Sequence, residues 1–134
     1  MLDLEIITPE KVLVKEQVDM VEAKGTNGEF GVLPGHTQFL TIIEIGEVRY
    51  IKDGTTNYLA TSGGYAEVVD DRVTILLDDA ELAEEIDVEK AKREMEEAEK
   101  ALKVLAFDEI EYKLMEMALF KAIMKIEVAS KRHL

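Results

Sequence analysis

Short stretches in which apolar and polar residues alternate run from Leu2 to about Leu77, and they are rich in Val, Ile, Thr and Tyr. A period near two places every second side chain on the same face of a β-strand, and the Gly, Asp and Asn residues between the stretches favour turns. Several such strands at close spacing, with no helical pattern between them, are typical of two sheets packed face to face. The pattern therefore predicts an all-β sandwich over residues 1–85.

Two short turns are predicted to join neighbouring strands into hairpins. Asp53-Gly54 is the stronger signal, because both central residues of a type I′ turn need positive φ and Asp-Gly adopts it readily. Asp70-Asp71 marks the second turn. The predicted strand pairs are residues 48–51 with 58–60 and residues 66–69 with 73–77.

The periodicity changes after Asp78, and residues 86–134 are predicted to form a separate helical domain. Apolar side chains there recur at spacings of three and four, which aligns them along one face of an α-helix. Asp87 stands where an N-cap residue is expected, since its carboxylate can accept from the exposed amides of the first turn. The apolar positions of this first helix are Val88, Ala91, Met95, Ala98, Leu102 and Leu105.

A second helix is predicted to follow after a short turn. Asp108 and Glu111 fit a capping box, and Phe107 and Tyr112 are placed to form the hydrophobic staple around it. Because only a few residues separate the two helices, we expect an antiparallel hairpin. Apolar residues cover more than one face of the second helix, so its partner helix alone cannot bury them all. The excess can either pack on the β domain or form a surface for another protein.

The chain is acidic, and its charge is unevenly distributed. The net charge of −13 disfavours binding to nucleic acid and to anionic lipid. No apolar run approaches the ~20 residues that cross a bilayer, the first residues lack a signal-peptide pattern, and the chain has no cysteine. We therefore expect a cytoplasmic protein without direct membrane insertion. Residues 1–85 carry 6 basic and 18 acidic side chains, whereas residues 86–134 carry 10 and 11.

Four basic side chains near the C-terminus stand out against this acidic background, and they are Lys121, Lys125, Lys131 and Arg132. They form either a solvated helix face or a docking surface for an acidic partner. Their pattern alone favours neither alternative.

No set of residues suited to covalent or hydrolytic chemistry is evident. The two histidines, His36 and His133, are far apart, and neither has a carboxylate at helical metal-ligand spacing. The Gly-containing segments 25–28 and 63–64 do not continue into the Gly-Lys-Ser/Thr of a phosphate-binding loop. Adjacent acids such as Asp78-Asp79 are more often solvated than metal-bound. We therefore expect a protein that is not an enzyme and has no metal site.

The segment Gly-Glu-Phe-Gly-Val-Leu-Pro-Gly-His at positions 28–36 is unusual, because glycines and a Pro-Gly pair interrupt an otherwise apolar run. Ile45-Gly46, the segment Ser-Gly-Gly-Tyr-Ala-Glu-Val at positions 62–68, and Asp79-Ala80-Glu81 follow it in order. With these motifs the chain resembles the epsilon subunit of bacterial F-type ATP synthase over nearly its whole length. The resemblance implies a sandwich of about ten strands followed by a two-helix domain.

The same resemblance implies a function and a set of partners. Epsilon subunits bind the gamma subunit and the c-ring in the rotating central stalk, and they restrain ATP hydrolysis by the alpha/beta catalytic head through a movable helical domain. It also implies a peripheral position at the cytoplasmic face of the cell membrane, with the coupling ion, proton or sodium, left open. By position, Glu29 would lie at the c-ring end and His36 near gamma, unless they are a solvated acid and a hydrogen-bonded loop histidine. The four basic residues near the C-terminus would contact the head.

Several bacterial members of this family bind ATP through an Ile/Leu-Asp-x-x-Arg-Ala motif and further arginines. Here residues 86–91 have Lys90 in place of the motif arginine, and Glu97 stands where another arginine is expected. Lysine lacks the bidentate fork that grips phosphate, and Glu97 would repel phosphate. ATP is therefore expected as a weak regulatory ligand and not as a required cofactor. The candidate nucleotide-binding residues are Glu81, Ile86, Asp87, Lys90, Ala91, Lys121 and Lys125.

A free-standing nucleotide-sensing module, in which the β domain is only a platform, is the alternative function. The two hypotheses differ in their partners, because only a stalk subunit must co-purify with gamma and the ATPase head.

Overall fold

Nine β-strands precede two α-helices within residues 1–132, the part of the chain that the computed structural model describes. The backbone divides into two compact units, Met1–Leu82 and the residues from Ala83 onward. The strands are β1 (Leu2–Ile7), β2 (Val12–Val18), β3 (Met20–Gly25), β4 (Gly28–Val32), β5 (Phe39–Lys52), β6 (Thr55–Thr61), β7 (Gly64–Val69), β8 (Arg72–Leu77) and β9 (Ala80–Leu82). The helices, α1 (Val88–Val104) and α2 (Ile110–Ala129), follow a 3₁₀ turn at Ala83–Glu85.

The first unit is a β-sandwich, as the alternating pattern predicts, and it has nine strands where about ten were expected. Hydrogen bonds connect the strands in the order β2-β1-β8-β7-β5-β3-β4, while β6 pairs with β5 and β9 pairs with β6. Strands β1 and β8 run parallel to each other. The long β5 pairs with β7 over residues 39–43 and with β6 over residues 46–52. This strand therefore continues the hydrogen bonding from one layer of the sandwich into the other.

Inward-facing side chains of the alternating strands form one hydrophobic core. In β1, Leu2, Leu4 and Ile6 are at most 2% exposed, while the residues between them are more accessible. Val73 and Ile75 of β8 join the same cluster. Burying a large aliphatic side chain stabilises the fold by roughly 1.5–3 kcal/mol. The alternation thus fixes which face of each strand is available for contacts with other molecules.

Both predicted hairpin turns are confirmed. Asp53 and Gly54 have φ angles of 51° and 78° and connect β5 to β6. Asp70 and Asp71 have φ angles of 49° and 60° and connect β7 to β8. Positive φ at both central residues is the requirement of a type I′ turn, and Asp is one of the few non-glycine residues that tolerates it.

The first helix is confirmed, and it begins where the sequence predicts. The side chain of Asp87 accepts a hydrogen bond from the amide of Lys90 at 3.0 Å, which makes Asp87 the N-cap. Such a cap stabilises a helix by about 1 kcal/mol. Ala91 and Ala98 of the predicted apolar face are buried, and α1 packs against α2 in a hairpin.

The predicted capping box at the start of α2 is wrong. The amide of Glu109 donates to the carbonyl of Ala106 at 3.0 Å, so residues 106–109 close a turn that contains Asp108. The helix therefore begins one residue later, with Glu109 as its N-cap, and no side chain caps the first amides. The rings of Phe107 and Tyr112 nevertheless meet, with their centroids 5.5 Å apart.

Candidate functional site

Glu29 is held by an ion cluster that joins three strands of the sandwich. Nη1 of Arg49, on β5, lies 3.1 Å from Oε1 of Glu29 on β4 and 3.1 Å from Oε2 of Glu47. Nη2 of Arg49 lies 3.1 Å from Oε2 of Glu22 on β3. The side chain of Glu29 is 62% exposed, whereas that of Arg49 is only 20% exposed. One guanidinium thus binds three carboxylates, and Glu29 is the member that remains accessible to another molecule.

The electrostatics of this cluster keep Arg49 protonated. Partial burial acts to lower the pKa of Arg49. The hydrogen bonds to Glu22 and Glu29, together with the negative charges of both acids, raise the pKa by more than burial lowers it. The net effect is a pKa above the ordinary value for arginine. Arg49 therefore remains a cation over the physiological pH range.

The loop that carries His36 is tied to the turn between β7 and β8. The amide of Gly35 donates to Oδ1 of Asp71 at 2.7 Å, and the amide of His36 donates to the carbonyl of Leu33 at 3.1 Å. Gly35 has a φ of 85°, a conformation that side chains disfavour. This loop is therefore positioned by a residue far away in the sequence.

The ring of His36 is also placed by its neighbours. Its Nδ1 lies 2.7 Å from the carbonyl oxygen of Thr37, a distance that fits a donating Nδ1–H. Its ring meets that of Phe39 edge to face at 5.7 Å, and Phe39 in turn meets Phe30 at 5.3 Å. His36 thus lies at one end of an aromatic series that continues to Phe30 on β4, next to Glu29.

Sequence reasoning missed an apolar row on the outer face of the sandwich. The register places one residue from each of five strands side by side, and these residues are Ile42, Tyr65, Leu76, Ile7 and Val12. Tyr65 is 58% exposed and Ile42 is 52% exposed. Residues Ile7, Tyr65 and Leu76 also line a shallow groove of about 270 Å³. The available signal was large apolar side chains at outward positions of alternating strands, where polar residues are usual.

The candidate nucleotide residues are divided between the two units. Glu81 lies on β9 in the first unit, whereas Asp87 and Lys90 lie at the start of α1 in the second. The carboxylate of Asp87 is engaged as the helix cap, and Ile86 and Ala91 are buried. Lys121 and Lys125 lie on α2, where they are half-buried.

The second helix presents a broad apolar surface together with basic residues. Lys131 and Arg132, which follow α2, are exposed. The large apolar side chains of this helix that remain exposed are Ile110, Leu114, Met117, Phe120 and Ile123. The prediction that α2 carries more apolar side chains than α1 can bury is therefore confirmed. His133, the second histidine, lies outside the described residues.

The described part of the chain contains neither a preformed metal site nor a membrane-spanning helix. Across residues 1–132, no group of three or more His, Asp or Glu side chains is arranged to hold a metal ion. None of the helices in this range is long and apolar enough to span a membrane.

Both units match one type of protein. Residues 1–83 match the beta-sandwich domain of "ATP synthase, Delta/Epsilon chain", and residues 84–130 match the long alpha-helix domain of the same description. Fold and sequence together define a subunit of the delta/epsilon type from ATP synthases.

Curated relatives define the type further. The chain is 47% identical to the ATP synthase epsilon chain of Geotalea daltonii over 130 residues, which cover 97% of this chain and 94% of that one. It is 42% identical to the epsilon chain of Nitratidesulfovibrio vulgaris over 127 residues, with 95% and 94% covered. The chain therefore belongs to the family of ATP synthase epsilon chains, which are non-catalytic subunits of the ATP synthase complex.

Solved structures agree with this assignment. A chain in the structure of the Euglena gracilis mitochondrial ATP synthase with its c-ring superposes with a TM-score of 0.79 at 28% identity, covering 98% of this chain and 81% of that chain. A chain in the central stalk and c-ring of the Tetrahymena thermophila mitochondrial enzyme superposes with a TM-score of 0.67, covering 96% of both chains. At 11% identity this second likeness concerns the fold alone.

Proposed function

We propose that this chain is a coupling subunit of the central stalk. In this proposal its sandwich binds the gamma subunit and the c-ring, and its helical unit restrains ATP hydrolysis by the alpha/beta catalytic head. Its attachment to these partners holds it at the cytoplasmic face of the cell membrane. The observation that carries the proposal is the apolar row on the outer face of the sandwich.

The apolar row is the surface we assign to gamma. Exposed apolar patches that span several strands are uncommon on proteins that act alone, and they mark contact surfaces. Tyr65 lies within the row, between Ile42 and Leu76, and it offers a large ring with a polar tip. Buried aromatic anchors of this kind dominate the binding energy of protein interfaces. His36 would lie near the same partner, on the loop that Asp71 holds.

Glu29 is the residue we assign to the c-ring. Its carboxylate is exposed near the turn between β3 and β4, and within the chain it contacts Arg49. A fixed, accessible carboxylate suits a charge-assisted hydrogen bond to a donor on the ring.

The helical unit is the part we assign to regulation. It combines the exposed apolar side of α2 with the basic residues Lys121, Lys125, Lys131 and Arg132. Apolar surface supplies binding energy and basic charge steers the encounter with an acidic surface, such as one on the catalytic head. Contact of this unit with the head would block rotation and hydrolysis.

Co-purification tests the proposed function directly. Tagged full-length chain, expressed in its host, should recover gamma and the alpha/beta head from solubilised membranes. Washing at raised ionic strength should weaken recovery of the head more than recovery of gamma, because the apolar row is insensitive to salt. Recovery of the chain without gamma would overturn the stalk function, and tight nucleotide binding by that lone chain would favour the nucleotide-sensing module.

ATP is, in this proposal, a weak ligand of the helical unit. Asp87 is already engaged as a helix cap, and Glu97 is exposed on α1 with a charge that opposes phosphate. Calorimetry with ATP should detect weak binding or none. A variant with Lys90→Arg and Glu97→Arg should bind more tightly, because guanidinium groups bind phosphate through two donors. Tight binding by the wild type, or no gain in the variant, would refute the assignment of these positions.

A further inference from the structure

Strand pairing explains how Arg49 reaches Glu29 across an intervening strand. In the register, Arg49 on β5 lies opposite Glu22 on β3, and Glu22 lies opposite Gly31 on β4. Glu29 lies opposite Lys24, which is two residues from Glu22 along β3 and therefore on the same face of the sheet. Gly31 itself has no side chain, and the space a Cβ would take there is bordered by the ends of Met20 and Glu22, at 3.0 and 3.7 Å. The Glu29 side chain spans the diagonal between the strands and meets Nη1 of Arg49 at 3.1 Å.

Each contact in this cluster restricts the exposed carboxylate. Arg49 is anchored through both terminal nitrogens, because Nη2 binds Glu22 while Nη1 binds Glu47 and Glu29. A glutamate with 62% exposure and no such partner would sample several rotamers. We propose that Arg49 is a positioning residue that holds the Glu29 carboxylate in the orientation required by its ring partner. This inference rests on the proposed contact between Glu29 and the c-ring.

The role requires an arginine. One guanidinium has five N–H donors in a planar fork and can serve three carboxylates from three strands, whereas a lysine ammonium is a single point of charge. Without the cation, Glu22, Glu29 and Glu47 would repel one another, and Glu29, as the most exposed, would turn toward water. Immobilising such a side chain at the moment of binding weakens affinity by about 2- to 10-fold.

A double-mutant cycle on the full chain tests the proposal. Labelled wild type, Glu29→Gln, Arg49→Gln and the double variant are titrated against a purified complex of gamma and the c-ring. Glu29→Gln should weaken binding, Arg49→Gln should weaken it by about 2- to 10-fold, and the double variant should bind no more weakly than Glu29→Gln alone. Glu96→Gln is the matched control, since it removes one exposed carboxylate on α1, which takes no part in the cluster, and leaves every contact of Arg49 intact. It should bind like the wild type.

Each alternative outcome has a distinct meaning. Equal weakening by Arg49→Gln in the presence and absence of the Glu29 carboxylate would show that Arg49 only supports the fold, and would overturn the positioning role. Weakening by Glu29→Gln with no effect of Arg49→Gln would also overturn it, while leaving the proposed ring contact intact. No effect of Glu29→Gln would overturn the ring contact and the positioning role together. Thermal unfolding checks each variant, and Arg49→Lys, which keeps the charge, replaces Arg49→Gln in the cycle if the latter does not fold.

Discussion

The carboxylate of Asp71 accepts a hydrogen bond from the amide of Gly35 at 2.7 Å, although 36 positions separate the two residues. The bond fixes the loop before β5 to the turn between β7 and β8. The loop carries His36, so its order depends on a side chain in another hairpin.

Replacing Asp71 with glycine should free this loop without unfolding the sandwich. Glycine adopts the φ of 60° at this position easily, so the turn survives, but the acceptor for the Gly35 amide is lost. Hydrogen exchange of the Gly35 amide should accelerate, and affinity for gamma should fall. Asp71→Asn is the matched control, because asparagine tolerates the same φ and keeps an acceptor oxygen. Equal protection of the Gly35 amide in both variants would contradict this role of Asp71.

Removing the aromatic ring of the apolar row should weaken binding to gamma. Tyr65→Ser is expected to reduce affinity by about 2 kcal/mol, or roughly 30-fold, if Tyr65 is an anchor of the interface. Titration of purified gamma with labelled chain measures the loss. Phe107→Ser serves as the control, since Phe107 is 78% exposed but lies in the helical unit. Similar losses in the two variants, or none in Tyr65→Ser, would argue against the assigned surface.

Gly64 should be intolerant of any side chain. A Cβ at this position would overlap the backbone oxygen of Leu76 and lie 2.8 Å from the Cα of Leu77. Because backbone cannot move aside as a flexible side chain can, Gly64→Ala should destabilise the sandwich by about 1–3 kcal/mol or more. Urea unfolding measures the difference. Gly31→Ala is the comparison, since its Cβ would approach the mobile end of Met20 at 3.0 Å, and it should cost less than Gly64→Ala.

Deleting residues 87–134 should leave a folded sandwich that binds gamma and should raise ATP hydrolysis by the assembled complex. The sandwich has its own hydrophobic core, so its folding does not require the helices. Reversal of the four basic residues to glutamate should mimic the deletion, and raised salt should relieve part of the inhibition in the wild type. Hydrolysis that is unchanged by both the deletion and the charge reversal would show that the helices do not restrain the enzyme.

Features set by adjacent residues were predictable from the sequence. The Asp53-Gly54 and Asp70-Asp71 turns and the Asp87 cap depend on the φ preferences and side-chain acceptors of a few neighbouring positions. The start of α2 was misplaced by one residue, because a turn closed by the Ala106 carbonyl competes with the capping box for the same short segment.

Features set by strand register were not predictable. The cluster around Arg49 forms only once β3, β4 and β5 are aligned, and a shift of one residue would turn its members to the other face. The apolar row was not predictable either, because its residues come from separate strands. The bond between Gly35 and Asp71 also joins residues that are distant in the sequence. The family motifs indicated Glu29 and His36, but neither of the residues that hold them in place.

The parallel pairing of β1 with β8 has a consequence for synthesis on the ribosome. Asp3 pairs with Arg72, so the first strand cannot find its second neighbour until most of the sandwich has been made. Until then β1 can pair only with β2, and its other edge exposes unpaired amides and carbonyls. Pairing between such distant segments is intrinsically slow. Completion of the sandwich therefore has to wait until β8 has been made, and one edge of β1 stays unpaired until then.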